Sequence, residues 1–207
     1  MIHKIVTRSL LIVGLSMPLS ADDRGYNDGI YVGLEGSFLS FGGDDLHMET
    51  ITGGKSTNKT TYRDISNTPI SLKLGYQHYI GNRIEVYAKY GELETDGGDV
   101  SVDTYGVNYE FGFASLATGS KLMPYILLGA GAGNAESSKL KKMDGSDVVE
   151  INLGLGFHYQ IQENIYGSFG YTNNTMIFTD VKGQNDENFE FSDTTSNTFY
   201  VGVGYHF

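Results

Sequence analysis

Cysteine and tryptophan are absent from this 207-residue chain, and proline occurs only three times. Without cysteine there is no disulfide framework, no thiolate metal ligand and no thiol nucleophile. Scarce proline, alongside 15 tyrosines and 11 phenylalanines, argues against a disordered chain. Positive charge is also short: 14 Lys and Arg against 25 Asp and Glu leave a formal charge of −11. A nucleic-acid partner is thereby excluded, because phosphate binding needs a basic face. Beyond residue 21 no apolar run is long enough for a transmembrane helix, and the mean hydropathy is −0.23. A barrel whose strands alternate lipid-facing and inward-facing residues passes both tests unnoticed, since its averages cancel.

The first 21 residues read as a separate segment. Lys4 and Arg8 precede the apolar run Leu10-Leu11-Ile12-Val13-Gly14-Leu15, and Pro18-Leu19-Ser20-Ala21 closes it with small residues. That order is the one a secretory signal peptide uses, and its apolar part is too short to span a bilayer. Removing residues 1–21 takes away two cations and moves the charge from −11 to about −13. Residues 22–207 are then expected to form one domain.

From Ile30 onward, apolar residues recur with period two in eight runs. Ile30, Val32, Leu34 and Phe38 oppose Tyr31, Gly33, Glu35 and Ser37; Ile70, Leu72, Leu74 and Tyr76 oppose Ser71, Lys73, Gly75 and Gln77. After a Gly81-Asn82 turn, Ile84, Val86, Ala88 and Tyr90 oppose Glu85, Tyr87, Lys89 and Gly91. Equivalent runs cover 105–113, 149–158, 165–172 and 198–207, whereas the run 125–133 leaves open which of its faces is the apolar one. Connections at 80–83, 114–121 and 161–164 are short; those at 41–68, 135–147 and 179–195 are long and polar, and the second outer loop, near 94–100, is short but carries Asp96-Gly97-Gly98-Asp99. Short turns at one rim and longer loops at the other describe an up-and-down barrel, and both later prolines, Pro69 and Pro124, fall at strand starts.

Such a sheet closes because every backbone donor and acceptor in lipid needs a partner, so an open edge cannot persist. Eight strands leave an interior only wide enough for side chains. Ten glycines, among them Gly75, Gly106, Gly156, Gly170 and Gly204, share the inward parity and leave room for larger neighbours; Gly36 and Gly167 do not share it.

The final run Phe199-Tyr200-Val201-Gly202-Val203-Gly204-Tyr205-His206-Phe207 resembles the C-terminal signature of outer-membrane barrels. Pro124-Tyr125-Ile126-Leu127-Leu128-Gly129-Ala130-Gly131-Ala132-Gly133 is similar to a strand of the OmpA/OmpX-like outer membrane protein β-barrel family. The resemblance covers about residues 25–207 and rests on a fairly specific terminal motif and a generic strand pattern. It implies an all-β, eight-stranded antiparallel transmembrane barrel in a Gram-negative outer membrane. It also implies that the barrel-assembly machinery reads Phe207, Tyr205 and Val203. The cell-wall-binding domain of larger members is not expected here, as the chain stops at Phe207.

Inward parity points Glu35, Lys73, Glu85, Lys89, Glu110 and Glu150 into the lumen. They line a narrow pore or, since buried ions persist only when paired, they plug it with ion pairs, which is the favoured reading. Tyr76, Tyr90, Tyr105, Tyr109, Phe157, Tyr159, Tyr171 and Tyr205 point outward and suit interfacial girdles. His78, His158 and His206 fall towards the short-turn rim; His47 lies in the first long loop, near Ser40 but in no catalytic motif. Gly53-Gly54-Lys55-Ser56-Thr57 lacks the spacing of a phosphate loop. The acids Asp44, Asp45, Glu49, Asp180, Asp186, Glu187, Glu190 and Asp193 offer divalent-cation bridging to lipopolysaccharide or, more simply, a solvated charged surface. Neither cofactor nor metal is implied. The expectation is a non-enzymatic barrel acting in envelope integrity or through loops 41–68 and 179–195. A narrow porin-like passage is the alternative, and lipid-modifying catalysis is a third reading.

Overall fold

The computed structural model describes residues 28–41, 45–62, 66–78, 81–95, 98–113, 121–136, 146–179, 181–182 and 187–207. The expected signal segment and the loop acids Asp44, Asp180 and Asp186 lie outside them. Thirteen strands follow in chain order: β1 (Gly29–Phe41), β2 (Leu46–Thr52), β3 (Lys55–Tyr62), β4 (Ser66–Asn67), β5 (Ile70–Gln77), β6 (Arg83–Thr95), β7 (Gly98–Gly112), β8 (Leu122–Glu136), β9 (Ser146–Gln162), β10 (Ile165–Phe178), β11 (Val181–Lys182), β12 (Glu187–Phe191) and β13 (Thr194–His206).

Eight of them, β1, β5, β6, β7, β8, β9, β10 and β13, pair antiparallel in a ring, each with its neighbours in sequence order. The first and last strands close it, with Tyr31 opposite His206 and Gly36 opposite Val201. The alternating sequence dictates the facing. Leu34, Leu72, Leu74, Val107, Leu128, Leu153, Leu155, Val201 and Val203 are exposed on the outer wall, while Lys73, Glu85, Glu110 and Glu150 are buried in the lumen. The same parity settles the run 125–133: Tyr125 and Leu127 point in, Ile126 and Leu128 point out.

Outward apolar residues need hydrocarbon around them, and a tilted strand crosses it in about 9–11 residues. With 15 residues in β7 and 17 in β9, the strands overshoot at the long-loop end. There the polarity of the two faces exchanges along β6, β7, β8, β9 and β10 without any slip in alternation, whereas β1 carries a bulge between Ser37 and Leu39. Glu92, Glu94, Asp103 and Asp147 point outward, and Leu93, Val100, Val102, Ala135, Val148, Met176 and Phe178 point inward and are buried.

The expectation of polar, solvated loops at 41–68 and 179–195 is corrected by the strands found there. β2 and β3 form a hairpin whose turn, Gly53 and Gly54, has the left-handed φ values of 59° and 76° that a two-residue type I′ turn requires. The Gly-Gly-Lys-Ser-Thr segment is therefore hairpin geometry. β12 pairs with β2, so the two loops share one four-stranded sheet in the order β11-β12-β2-β3. This sheet turns Leu46, Met48, Phe189 and Phe191 onto the inward apolar residues of the barrel ends, forming one buried cluster. Burying side chains of this size favours the folded loops by about 2 kcal/mol each. The sheet is a lid on the barrel mouth.

Two outward positions, Gly36 and Gly167, depart from the glycine parity. A Cβ at Gly36 would meet no atom within 4 Å, so interior packing does not demand glycine there.

Candidate luminal site

Below the lid, side chains fill the lumen in three tiers. Nearest the short turns, Arg83 from the start of β6 lies between two tyrosine rings, its guanidinium carbon 4.8 Å from the ring centre of Tyr31 and 4.2 Å from that of Tyr166. Cation–π contacts of this kind suit a desolvated guanidinium. Its Nε donates to Gln77 Oε1 at 2.6 Å, and its Nη1 lies 3.3 Å from His158 Nδ1. His158 Nε2 lies 2.7 Å from Glu110 Oε2. One tautomer satisfies both contacts: Nδ1 accepts from arginine and Nε2–H donates to the carboxylate. The imidazole also stacks on Tyr125 at 4.3 Å.

The middle tier centres on Lys73 from β5. Its Nζ is 2.8 Å from Glu35 Oε2, 2.8 Å from Glu85 Oε1 and 4.0 Å from Glu110 Oε1. Tyr31 Oη donates to Glu85 Oε2 at 2.6 Å, Asn108 Nδ2 to Glu85 Oε1 at 2.8 Å, and Ser168 Oγ to Glu35 Oε1 at 3.3 Å. In the third tier Lys89 pairs with Glu150, whose other oxygen accepts from Tyr87 Oη at 3.1 Å and Thr104 Oγ1 at 3.0 Å. Asn152 Nδ2 closes this group by donating to Tyr87 Oη at 2.9 Å.

The six charges named from the sequence thus stand in two clusters, Glu35–Lys73–Glu85–Glu110 and Lys89–Glu150. Arg83 and His158 complete the first. Arg83 escapes the sequence reading because 80–83 reads as a short turn, although it shares the parity of Glu85 two residues on. Buried carboxylates this densely hydrogen-bonded and ion-paired are stable only as a set, since removing one partner strands another.

A cavity of about 40 Å³ remains beside the upper two tiers, lined among others by Lys73, Lys89, Asn108, Asn152, Thr198 and Tyr200. That volume is room for a few waters.

Five inward tyrosines fill the rest of the section, each directly opposite an inward glycine on the adjacent strand. The pairs are Tyr31 with Gly75, Tyr87 with Gly106, Tyr125 with Gly156, Tyr166 with Gly204 and Tyr200 with Gly170. A Cβ on Gly75 would lie 2.7 Å from the Tyr31 ring, and one on Gly156 2.6 Å from Tyr125 Oη. Each ring lies flat across the strand it faces because no side chain rises there.

Among the described residues the other histidines stand apart from one another. His47 Nδ1 bonds Thr61 Oγ1 at 2.9 Å, while Ser40 Oγ accepts from the Asn67 amide at 2.9 Å, so the expected His47–Ser40 proximity has no bond behind it. His206 is buried among Tyr31 and Tyr166, and His78 is exposed beside the 78–82 turn. No group of three or more His, Asp and Glu side chains is placed to hold a metal ion among the described residues. Phe207, Tyr205 and Val203 are exposed on the outer wall, with the rings of Tyr205 and Phe207 packed edge to face at 5.3 Å.

No protein-family model matches the chain, and no curated protein sequence does. Solved structures do. Neisserial surface protein A superposes with a TM-score of 0.53 at 16% identity, over 86% of this chain and 97% of that one. The outer membrane protein OprG from Pseudomonas aeruginosa gives 0.58 at 15% identity, over 89% of this chain and all of that one. At such identities the likeness is one of fold: this chain has the architecture of the small eight-stranded outer-membrane barrels.

Proposed function

We propose that the protein is an integral outer-membrane barrel, exported by its N-terminal signal segment, whose closed lumen leaves its work to its wall and its surface. The observation that carries this reading is closure at two heights. Paired charges fill the lumen within the membrane span, and the β2–β12 lid fills its mouth with apolar side chains. An ion crossing it would have to break the Lys73 and Lys89 pairs and then pass a dry cluster, each step costing several kcal/mol. The lid's other face carries His47, Glu49, Ile51 and Glu190 towards solvent and is the natural contact surface for an external partner or for lipopolysaccharide. Phe207, Tyr205 and Val203 fit the assembly-signal role, since they lie on the outer wall at the strand that closes the ring.

Single-channel recording in planar bilayers tests the closed lumen. The expected result is no stable current. A steady ohmic conductance that changes in Glu85→Gln would overturn it and favour a narrow passage.

A further inference from the structure

The charges in the lumen do not balance. Glu35, Glu85, Glu110 and Glu150 bring four negative charges, and Lys73, Arg83 and Lys89 bring three positive ones. His158 adds none, because its Nδ1 accepts from Arg83 and only the neutral ring can do so. His206 is paired with no carboxylate among the described residues, and its Nδ1 is buried without a hydrogen bond. Among the described residues the set therefore carries one excess negative charge, in surroundings where an unbalanced ion is costly. A proton is one remedy. Every carboxylate oxygen of the set except Glu110 Oε1 already faces a donor, however, so an added O–H would oppose an N–H or another O–H. Glu110 Oε1 has no hydrogen-bond partner, and the Lys73 ammonium lies 4.0 Å from it, so a proton there would find no acceptor.

The cavity beside the upper two tiers offers the other remedy. Asn108 lines it from β7 and Thr198 from β13, the first 5% exposed and the second 1%. Asn108 commits its Nδ2 to Glu85, which leaves its Oδ1 an acceptor without a donor, and Thr198 Oγ1 has no partner either. Buried polar atoms are seldom left in that state. Thr172, directly opposite Thr198, lines the same space with Ser71 and Glu35. Lys73 and Lys89 border it too, but their ammonium groups are turned onto Glu35, Glu85 and Glu150. The lining is rich in oxygen, and hard cations take oxygen ligands, uncharged amide and water oxygens included. Water alone would satisfy the two acceptors and leave the charge uncorrected. A cation does both.

We propose that this cavity holds one monovalent alkali cation, sodium or potassium, with Asn108 Oδ1 and Thr198 Oγ1 among its ligands and water completing its shell. A single positive charge matches the excess, whereas a divalent ion would reverse it. The cavity's volume, about 40 Å³, is room for the ion and a water or two. The inference goes beyond the closed-lumen reading and rests on it, because an open pore would be balanced by mobile ions and would need no fixed one.

The protein is refolded in phosphatidylcholine vesicles, and its urea unfolding is followed in sodium chloride, potassium chloride and choline chloride at equal ionic strength. The midpoint is expected to be higher in sodium or potassium than in choline, and to rise with that salt to a plateau as a single site fills. Thr198→Val, which keeps the shape of the side chain and removes the hydroxyl, is expected to need about tenfold more salt for half the rise. Glu35→Gln balances the charges while leaving Lys73 on Glu85, and is expected to abolish the rise; should it fail to refold, Thr198→Val alone decides. Ser196→Ala removes a buried hydroxyl that also lacks a partner but does not line the cavity, and is expected to leave the rise unchanged. Equal midpoints in the three salts overturn the cation site in favour of a bound proton. A rise that neither Thr198→Val nor Glu35→Gln alters overturns it in favour of binding at the outer acids. A steady current through the barrel in a planar bilayer overturns instead the closed lumen on which the site depends.

Discussion

At the scale of single residues, Lys73 carries the greatest consequence. It is 5% exposed and lies 2.8 Å from each of two carboxylates, so its charge is what permits Glu35 and Glu85 to share one space. Lys73→Met keeps the length of the side chain and removes the charge. It is expected to cost about 3–5 kcal/mol, the usual effect of stranding a buried partner. Urea unfolding of the protein refolded in lipid vesicles reads this as a lowered midpoint; an unchanged midpoint would show that the carboxylates do not depend on Lys73. The lumen-facing charges were legible one by one because period two assigns every second residue to one face. Their partnerships were not, since Glu35 to Lys73 and Lys89 to Glu150 join strands whose relative heights alternation leaves undetermined. His158 illustrates the gap. Its position near the short-turn rim follows from strand direction, but its role between Arg83 and Glu110 follows only from three strands meeting across the lumen.

Among elements, register is the deciding quantity. The five tyrosine–glycine pairs exist because each ring stands directly opposite a glycine, and a shift of one residue would turn every side chain to the other face. Gly204 isolates the effect, because the nearest atoms to a Cβ there belong to the Tyr166 ring alone. Gly204→Ala is expected to destabilise the barrel by about 1–3 kcal/mol through overpacking, and most of that cost is expected to vanish when Tyr166→Ala is made as well. A double-mutant cycle on unfolding midpoints measures the coupling, and additive costs would remove the ring as the cause. The strand ends tell a related story. Val100-Ser101-Val102-Asp103 alternates as strictly as Tyr105 to Phe111, but with the apolar residues on the opposite face. Reading apolar as outward ends each strand at that exchange and so hands its last turns of pleat to the loops. The exchange is physical: past the hydrocarbon, water lies outside and the lid lies within.

For the whole molecule, the lid is the feature that joins distant parts of the chain. Glu49 on β2 stands opposite Glu190 on β12. Glu49→Cys with Glu190→Cys should form a disulfide, since directly paired strand positions bring their Cβ atoms within bridging range. With no other cysteine present, non-reducing electrophoresis of the folded protein is expected to show one fast-migrating oxidised species that reduction abolishes. Absence of that species under oxidant would mean that the two loops do not pair. A closed lid also predicts that the bridged protein conducts no differently from the wild type in a planar bilayer.

The order of residues alone determined the eight crossing strands, their up-and-down sequence and the facing of nearly every side chain within the membrane span. A two-residue period and the need to satisfy the backbone in lipid leave few other arrangements. Closure in space decided what lies beside what: which carboxylate shares Lys73, which tyrosine lies over which glycine, and that two loops some 140 residues apart fold into one lid. Alternation is a local property of one strand, whereas contacts across a lumen depend on the stagger of all eight strands at once, and no single segment carries that information.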